Sequence, residues 1–375
     1  MLDRTPLYNL YFNWWRNLDK VILFLFTILF FLGLFFSLVS TSLIASDKLN
    51  TNSYYFFLRH LIFVAFGFIT IIAISLFKSS KIIRFSIIFF IITLLTLILV
   101  PLLGTEVKGS KRWIDFGFLP RFQPVELLKP FLIIMLSLVL CNLKNLSIIF
   151  KYFLTFILLL PIILLLIGQP DIGQTILIFL TWLSLIFVSG INLIIFFSFF
   201  IISGFILTYL ILFVEKFAYI KIRLLAFLNP TNGNNYQSEK ASEAIINGGF
   251  FGKGIGEGKL NSRIPEAHND YIVSVISEEF GIIIVILIML LYLILALRVL
   301  KKISEIKNNL SKLILVGCIS IILIQAFIHI GVNIRMIPTT GMTLPFLSYG
   351  GSSIIGTSLL CGLILNFTKR EISIE

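Results

Sequence analysis

The sequence predicts an all-α integral membrane protein that crosses the bilayer about ten times. Of its 375 residues, 58% are hydrophobic and only 13% are charged. A soluble globular domain carries about 25% charged residues, so a water-exposed fold is excluded. Apolar runs that approach or exceed the length of a membrane-spanning helix, about 20 residues, recur along the whole chain. They lie at 21–44, 54–77, 82–103, 124–141, 149–167, 174–189, 191–214, 271–297, 313–333 and 345–367.

The order of these runs indicates one transmembrane domain over residues 1–375. The first run follows a basic start but has no small-residue cleavage site, which predicts a retained helix instead of a cleaved signal peptide. The three cysteines lie in or beside apolar runs, so neither a disulfide framework nor a metal site is indicated. The longest polar segment, about 215–270, separates the seventh and eighth predicted spans, and we expect it to form a large loop on the outer face.

Basic residues in the short links predict the orientation. Lys78, Lys81 and Arg84 share one link, five basic residues fall within 298–312, and two more follow the last run. With ten spans, these links lie on one side together with both termini, and the positive-inside rule makes that side cytoplasmic. The chain is therefore expected in the cytoplasmic (inner) membrane, with segments 104–123, 168–173, 215–270 and 334–344 facing outward. The same placement explains the net charge of +12, so we expect no nucleic-acid partner.

The leading candidate site is the stretch Pro-Glu-Ala-His-Asn-Asp at 265–270, where the long polar segment meets an apolar run. Ionisable groups are costly at a membrane boundary, and a cluster of them there is a functional-site hypothesis. Asp270 has two interpretations: an N-cap for the next helix, or a general base. The neighbouring Glu266 and His268 favour the base, because like charges nearby can raise the pKa of a carboxylate.

Two further outward segments carry acids at helix starts. Pro124 suits the first position of a helix, which places Glu126 in the first turn and Lys129 three residues later on the same face. A plain ion pair and a functional pair both fit this spacing, and the boundary position favours function. Asp171, which follows Pro170, is typical of a helix N-cap.

Several remaining motifs have a structural and a functional interpretation. A basic and aromatic stretch, Lys111-Arg112-Trp113, could anchor the chain at the membrane interface. It could equally bind the headgroup of a polyprenyl diphosphate with its sugar. Glu278 and Glu279 lie too deep in the following run for capping, and we expect one of them to face the interior. The glycine-rich string at 248–258 lacks any βαβ context, so it predicts a surface or re-entrant loop. His60 and His329 are expected to be satisfied helix residues.

Six motifs occur in order along the chain: Lys-Arg-Trp-Ile at 111–114, Gln-Pro-x-Glu-x-x-Lys at 123–129, Gln-Pro-Asp-x-Gly at 169–173, Pro-Glu-Ala-His-x-Asp at 265–270, Glu-Glu-x-Gly at 278–281 and Leu-Pro-Phe-x-Ser-Tyr-Gly-Gly-Ser-Ser at 344–353. This set resembles the SEDS family, the shape, elongation, division and sporulation membrane proteins. The resemblance covers essentially the whole chain. Within the family, Tyr236-Gln237, the run 244–249 and Glu266-Ala267-His268 are more similar to the cell-division branch than to the elongation branch.

The resemblance implies a peptidoglycan glycosyltransferase that polymerises lipid II at the outer face of the membrane during septal wall synthesis. It also implies a class B penicillin-binding protein and other division-complex membrane proteins as partners. The family's essential aspartate matches Asp270, and its recurrent polar positions match Trp113, Glu126, Lys129 and Asp171. The chain departs from the usual family residues at Phe250, Asn269, Ser277 and Arg335. Because Arg335 occupies a position that is generally small, the shape of the outer cavity does not carry over.

The implied reaction sets clear chemical requirements. A sugar hydroxyl must lose its proton as it attacks, and Asp270 is the candidate acceptor, a role that typically contributes about 10²–10⁴-fold. The diphosphate leaving group needs positive charge, for which Lys111, Arg112 and Lys129 are candidates and a divalent metal ion is the alternative. No other cofactor is implied.

Three rival functions remain open. A lipid II flippase would carry out no bond chemistry, and a scaffold would only recruit the penicillin-binding protein. The elongation paralogue would share the chemistry of the division enzyme. Transporters place ionisable groups near the bilayer midplane and have repeated halves, whereas here the acids gather at the outer boundary and no repeat is visible. This pattern favours the enzyme over the flippase.

Overall fold

Helices make up nearly all of the ordered architecture. The computed structural model describes residues 6–49, 54–107, 109–117, 120–143, 146–228, 236–258 and 267–369. In these ranges one short antiparallel hairpin, β1 (Thr105–Val107) and β2 (Ser110–Trp113), accompanies the helices. The helices are α1 (Pro6–Asn17), α2 (Lys20–Leu49), α3 (Tyr55–Leu76), α4 (Ser79–Leu103), α5 (Pro124–Asn142), α6 (Ile148–Gly168), α7 (Ile172–Val188), α8 (Leu193–Phe213), α9 (Ala218–Leu228), α10 (Tyr236–Gly248), α11 (Ile272–Phe280), α12 (Ile282–Glu305), α13 (Asn309–Asn333) and α14 (Gly351–Phe367).

The helices have the length and composition of a polytopic membrane protein. In the described ranges, eight of them are long and apolar enough to cross a bilayer: α2, α3, α4, α5, α6, α8, α12 and α13. The helices α7 and α14 are also apolar but shorter, with 17 residues each. The predicted fold class is thus confirmed. The count of ten spans requires α7 and α14 to cross as well, and it stays a prediction.

The centre of the bundle is formed by α5, α13 and α14. Within its most apolar stretch, α13 is 72% buried and α5 is 67% buried. Glycines allow these helices to approach closely: a Cβ on Gly317 of α13 would lie 2.5 Å from Cγ2 of Ile133 in α5, and one on Gly356 of α14 would lie 2.5 Å from the carbonyl oxygen of Glu126. Small residues at helix crossings are the usual means of tight packing in membranes. The backbone that carries Glu126 is therefore held firmly in the interior.

The predicted run 271–297 is not one helix. Gly281 has a φ of 84°, a left-handed conformation that favours glycine, and it separates α11 from α12. The apolar pattern continues through this glycine, which is why the sequence predicts a single helix there. Glu278 and Glu279 close the short helix α11, and both are buried, although we expected only one to face the interior.

The predicted loop 215–270 contains regular structure wherever it is described. A single 3₁₀ turn (Glu215–Phe217) leads into α9, and α10 follows. The glycine-rich string then wraps around the end of α11, where the N–H of Lys253 donates to the carbonyl of Glu278 at 2.9 Å. Gly249, Gly252 and two further glycines of this string have positive φ, as the glycine content predicts. The sequence analysis did not resolve α9 and α10 within this segment because both helices are short, and the place of the segment on the outer face stays a prediction.

The basic links named above meet at one end of the bundle. The side chain of Asn366 donates to the carbonyl of Phe77 at 2.7 Å and accepts from the hydroxyl of Ser79 at 2.9 Å, which joins the end of α14 to the start of α4. At the same end Asp19 is buried and accepts from Arg298 at 2.8 Å. The opposite end carries the hairpin, the turn at 169–171 and the segments 267–271 and 334–350, and we call it the loop end.

Candidate active site

A buried ion pair lies at the start of α5. Pro124 occupies the first turn, as predicted, and Lys129 Nζ lies 2.7 Å from Glu126 Oε2, so the predicted pairing is confirmed. Each charge has a second partner: Gln174 Nε2 donates to Glu126 Oε1 at 2.5 Å, and Lys129 Nζ donates to Gln325 Oε1 at 3.0 Å. Burial of opposite charges is tolerable when both are paired and hydrogen-bonded, and this pair meets that condition.

A second acid joins this pair from the turn before α7. Asp171 is the N-cap of α7, as predicted, and accepts from the N–H of Gln174 at 3.4 Å. Its other oxygen accepts from Gln123 Nε2 at 2.9 Å. Arg112 lies 3.8 Å from the carboxylate and also donates to the carbonyls of Gln169 and Pro170. Burial raises the pKa of Asp171, and the positive charge of Arg112 opposes that rise.

These contacts continue as a chain of hydrogen bonds toward α14. Gln325 Nε2 donates to the carbonyl of Thr343 at 3.0 Å, and the hydroxyls of Thr343 and Ser353 lie 2.7 Å apart. Two buried oxygens beside the chain, Gln174 Oε1 and Thr340 Oγ1, have no hydrogen-bond partner among the described residues. We call the whole chain the polar network; it consists of Arg112, Gln123, Glu126, Lys129, Asp171, Gln174, Gln325, Thr343 and Ser353.

Asp270 lies beside the loop that carries Thr343. An ideal Cβ on Gly341 would lie 3.4 Å from Asp270 Oδ2, so the carboxylate lies against this glycine, which has a φ of 69°. Asn333 Nδ2 donates to the carbonyl of Asp270 at 3.1 Å and fixes the chain just before α11. The N-cap of α11 is Tyr271, and the cap interpretation of Asp270 was therefore wrong. The carboxylate of Asp270 is half-buried at the loop end.

The neighbour of Asp270 reports on the local charges. Burial raises the pKa of the Tyr271 phenol to about 12, and the negative charge of Asp270 adds to that rise. The positive charge of Arg223, on α9, opposes it. Asp270, Tyr271 and Arg223 therefore belong to one electrostatic neighbourhood, although 47 residues separate Arg223 from Asp270 along the chain.

Aromatic rings surround the second candidate of the 265–270 stretch. The ring of His268 lies 5.3 Å from that of Phe56 and 5.7 Å from that of Tyr349, and its carbonyl accepts from the N–H of Tyr349 at 3.1 Å. His60 is fully buried behind Tyr349, at 5.9 Å, with no hydrogen-bond partner on either nitrogen among the described residues. The expectation of a satisfied His60 was therefore wrong. His329 is satisfied on one nitrogen only, through the carbonyl of Met342 at 2.7 Å.

The other predicted site residues lie at the hairpin or outside the residues that the structure describes. Lys111 is exposed on β2, and Trp113 is half-buried at its end, opposite Thr105 in the strand register. Glu266 lies outside the described residues, so its predicted place in the site stays a prediction. In the described ranges, no group of three or more His, Cys, Asp and Glu side chains could hold a metal ion.

Sequence reasoning missed several members of this site, and Gln325 and Arg223 show why. Gln325 is a single amide in the long apolar run of α13, and a polar side chain at that depth is the available signal. Arg223 was one of seven basic residues in the segment 215–270 and had no distinguishing local pattern. Only the fold brings Arg223 beside Tyr271 and joins Gln325 to Lys129.

Comparison with known families decides the classification. The model of the FtsW/RodA/SpoVE family, described as "Cell cycle protein", matches residues 19–372. The chain belongs to this family. Among similar relatives is a protein of Caulobacter vibrioides named "Probable peptidoglycan glycosyltransferase FtsW", 31% identical over 96% of this chain and 91% of that protein. A protein of the same name from Haemophilus influenzae is 32% identical over 94% and 91% of the two chains.

Solved structures of this family share the fold. One is a chain of a structure described as "Structural coordination of polymerization and crosslinking by a peptidoglycan synthase complex". It matches with a TM-score of 0.75 and 25% identity, over 94% of this chain and 97% of that one. The rod shape determining protein RodA of Thermus thermophilus matches with a TM-score of 0.68 at 23% identity, over 94% and 97% of the two chains. The latter likeness supports the fold alone.

Proposed function

We propose that this FtsW/RodA/SpoVE family member is a peptidoglycan glycosyltransferase that polymerises lipid II into glycan strands during septal cell-wall synthesis. The names of its relatives support the reaction class. The observation that carries the proposal is the position of Asp270: a half-buried carboxylate at the loop end, fixed through its backbone by Asn333, beside a buried network of charges. Such an arrangement suits a group that must exchange a proton with a substrate.

The chemistry assigns a proton acceptor and a leaving group. The 4-hydroxyl of the acceptor sugar attacks the anomeric carbon of the donor sugar, and its proton passes to the carboxylate of Asp270. A carbon–oxygen bond forms there as the bond to the polyprenyl diphosphate breaks, and the diphosphate leaves with the electron pair. Because the N-cap of α11 is Tyr271, capping does not account for an acid at position 270.

The polar network is assigned a positioning role. Glu126 and Lys129 satisfy each other, and Asp171 is joined to Arg112, so these charges are largely compensated within the protein. A compensated network can hold α5, α7, α13 and the loop 334–350 in one geometry around Asp270. Lys111 and Trp113, at the hairpin, remain candidates for contact with the substrate headgroup.

The orientation and partners belong to the same proposal. We assign the loop end to the outer face of the cytoplasmic membrane and both termini to the cytoplasm, because the basic links gather at the opposite end. The likeness to a chain of a peptidoglycan synthase complex supports a class B penicillin-binding protein as the partner that crosslinks the product. Other membrane proteins of the division complex are proposed as further partners.

Polymerisation of purified lipid II by the reconstituted protein tests the function directly. The assay is run with and without the class B penicillin-binding protein, and glycan products are separated by length. The proposal expects polymer from the wild type, with the partner present at least. Lipid II translocation across the vesicle membrane without any polymer would establish the flippase instead.

A further inference from the structure

A pocket beside Tyr271, at the loop end, is lined by two arginines. It has a volume of about 90 Å³ and is lined by α9, the start of α10 and the end of α13 with its following loop. One water molecule needs about 10–15 Å³ by this measure, so the pocket holds several waters or an anion of phosphate size. Its charged lining residues are Arg223 and Arg335, and among the described residues no carboxylate lines it.

Neither arginine forms an ion pair with a carboxylate among the residues that the structure describes. Arg223 Nη1 donates to the carbonyl of Thr339 at 3.2 Å, a neutral acceptor. The guanidinium of Arg335 has no hydrogen bond or ion pair with any described residue. By contrast, the other buried cations of this end, Arg112 and Lys129, each face a carboxylate. Burial lowers the pKa of Arg223 and the charge of Arg112 lowers it further, while Tyr219, Asp171 and Tyr271 act in the opposite direction.

A helix terminus adds to the positive field. Gln237 and Ser238 line the pocket from the first turn of α10, a helix of 13 residues. The N–H groups of a first helical turn lack partners within the helix, and the helix dipole places partial positive charge there, so helix N-termini bind phosphates. Arginine adds a planar, bidentate fork that matches phosphate oxygens.

The backbone of Arg335 is held in an unfavourable conformation. Its φ of 59° lies in the left-handed region, which residues with long side chains seldom adopt and glycine adopts readily. Strain of this kind persists where the surrounding structure imposes it, and it is concentrated at functional sites. A glycine at 335 would relieve the strain, and arginine differs from glycine here by a side chain that lines the pocket.

Apolar surface lies next to the charges. Phe227 and Val332 line the same pocket, and the 3₁₀ turn joins α9 to α8, a strongly apolar helix with no buried residue. An anion that carries a long hydrocarbon chain can therefore place its charge between the arginines and its chain along this apolar surface. A free anion would gain nothing from the apolar lining.

We propose that the pocket formed by Arg223, Arg335 and the first turn of α10 binds the diphosphate of a polyprenyl-linked sugar and retains it as the leaving group. This inference rests on the proposed glycosyltransferase function and names the residues that bind its leaving group. It replaces the earlier assignment of that role to Arg112 and Lys129, whose charges are already paired.

Binding of undecaprenyl diphosphate to the full-length protein in nanodiscs tests the proposal independently of polymerisation. Arg335→Gln and Arg223→Gln should each weaken binding about tenfold or more, since a charge-assisted bidentate contact is lost. Arg335→Lys should retain part of the affinity. Lys221→Gln removes one charge from the exposed side of the same helix α9 and should bind like the wild type.

A glycine variant and a competing free anion distinguish the possible results of this binding experiment. Arg335→Gly suits the positive φ and should fold even if Arg335→Gln does not, yet it should bind as weakly. Wild-type affinity in a folded Arg335→Gly or Arg335→Gln variant would overturn the proposal. Inorganic pyrophosphate should compete weakly, and competition equal to that of the lipid would assign the pocket to a free anion and refute the lipid assignment. A wild type that binds the diphosphate lipid but makes no polymer would refute the glycosyltransferase function while leaving the pocket assignment standing.

Discussion

The buried pair of Glu126 and Lys129 permits a quantitative test of the site's architecture. Both side chains are at most 4% exposed, so a charge left alone here cannot be solvated by water. Breaking a buried pair by removing one partner costs about 3–5 kcal/mol of stability. We therefore expect Glu126→Gln and Lys129→Met each to lower the free energy of unfolding by about 3–5 kcal/mol.

The double variant should be less damaged than either single one. Gln at position 126 can keep the contact with Gln174, and the main residual loss is the orphaned Gln325 Oε1, which costs about 1–3 kcal/mol. Two single losses of about 3–5 kcal/mol against a double loss of about 1–3 kcal/mol give a coupling energy of about 3 kcal/mol or more.

Unfolding free energies in mixed micelles, measured for the complete double-mutant cycle, supply the numbers. Ser137→Ala is the matched control on α5, because Ser137 is fully buried and its hydroxyl has no hydrogen-bond partner among the described residues. It should not lower the free energy of unfolding, because it removes a buried unpaired hydroxyl and breaks no hydrogen bond. Losses of the two single variants that add within about 0.5 kcal/mol would show that the pair is not energetically coupled, and would refute this reasoning.

Three further predictions concern the loop end. Arg112→Gln should lower polymerisation by about tenfold without loss of membrane insertion, because its three contacts to the turn 169–171 are weakened. Polymerisation at the wild-type rate would count against a positioning role for Arg112. Gly248→Ala should lower the melting temperature more than Gly249→Ala. A Cβ on Gly248 would overlap the backbone of α11, whereas one on Gly249 has no atom nearby and only the positive φ disfavours it. The reverse order of melting temperatures would contradict this packing. Burial raises the pKa of Asp171 above its usual value near 3.8, so the folded state binds the proton more tightly than the unfolded state, and this residue's contribution to stability falls as pH rises from about 3.8 to the raised folded pKa. Asp171→Asn should abolish this decrease of the melting temperature with pH, and an unchanged pH dependence would exclude Asp171 as its source.

The local features of this protein were predictable from the sequence, because each depends on neighbours along the chain. Apolar runs predict the helices since a bilayer sets their length. The i,i+3 spacing after Pro124 predicts the Glu126–Lys129 pair, and the Pro-Asp sequence predicts the cap at Asp171. In each case one helical turn is enough to bring the partners together.

The features that could not be predicted depend on distant parts of the chain. Gln325 bonds to Lys129 across 196 residues, and no local pattern joins them. Arg223 and Arg335 line one pocket but lie far apart along the sequence, so no local pattern shows that they come together. The break at Gly281 was missed for a different reason: glycine is tolerated inside many membrane helices, so its presence alone does not predict a helix end.

The role of Asp270 is the central claim, and Asp270→Asn tests it most directly. Asparagine is nearly isosteric and can still accept a hydrogen bond, but it cannot take up the proton of a sugar hydroxyl. The measurement is lipid II polymerisation by the purified, reconstituted variant beside the wild type, with membrane insertion and melting temperature checked in parallel. We predict a folded, inserted protein that makes no detectable glycan. Glycan synthesis at the wild-type rate by Asp270→Asn would contradict the mechanism.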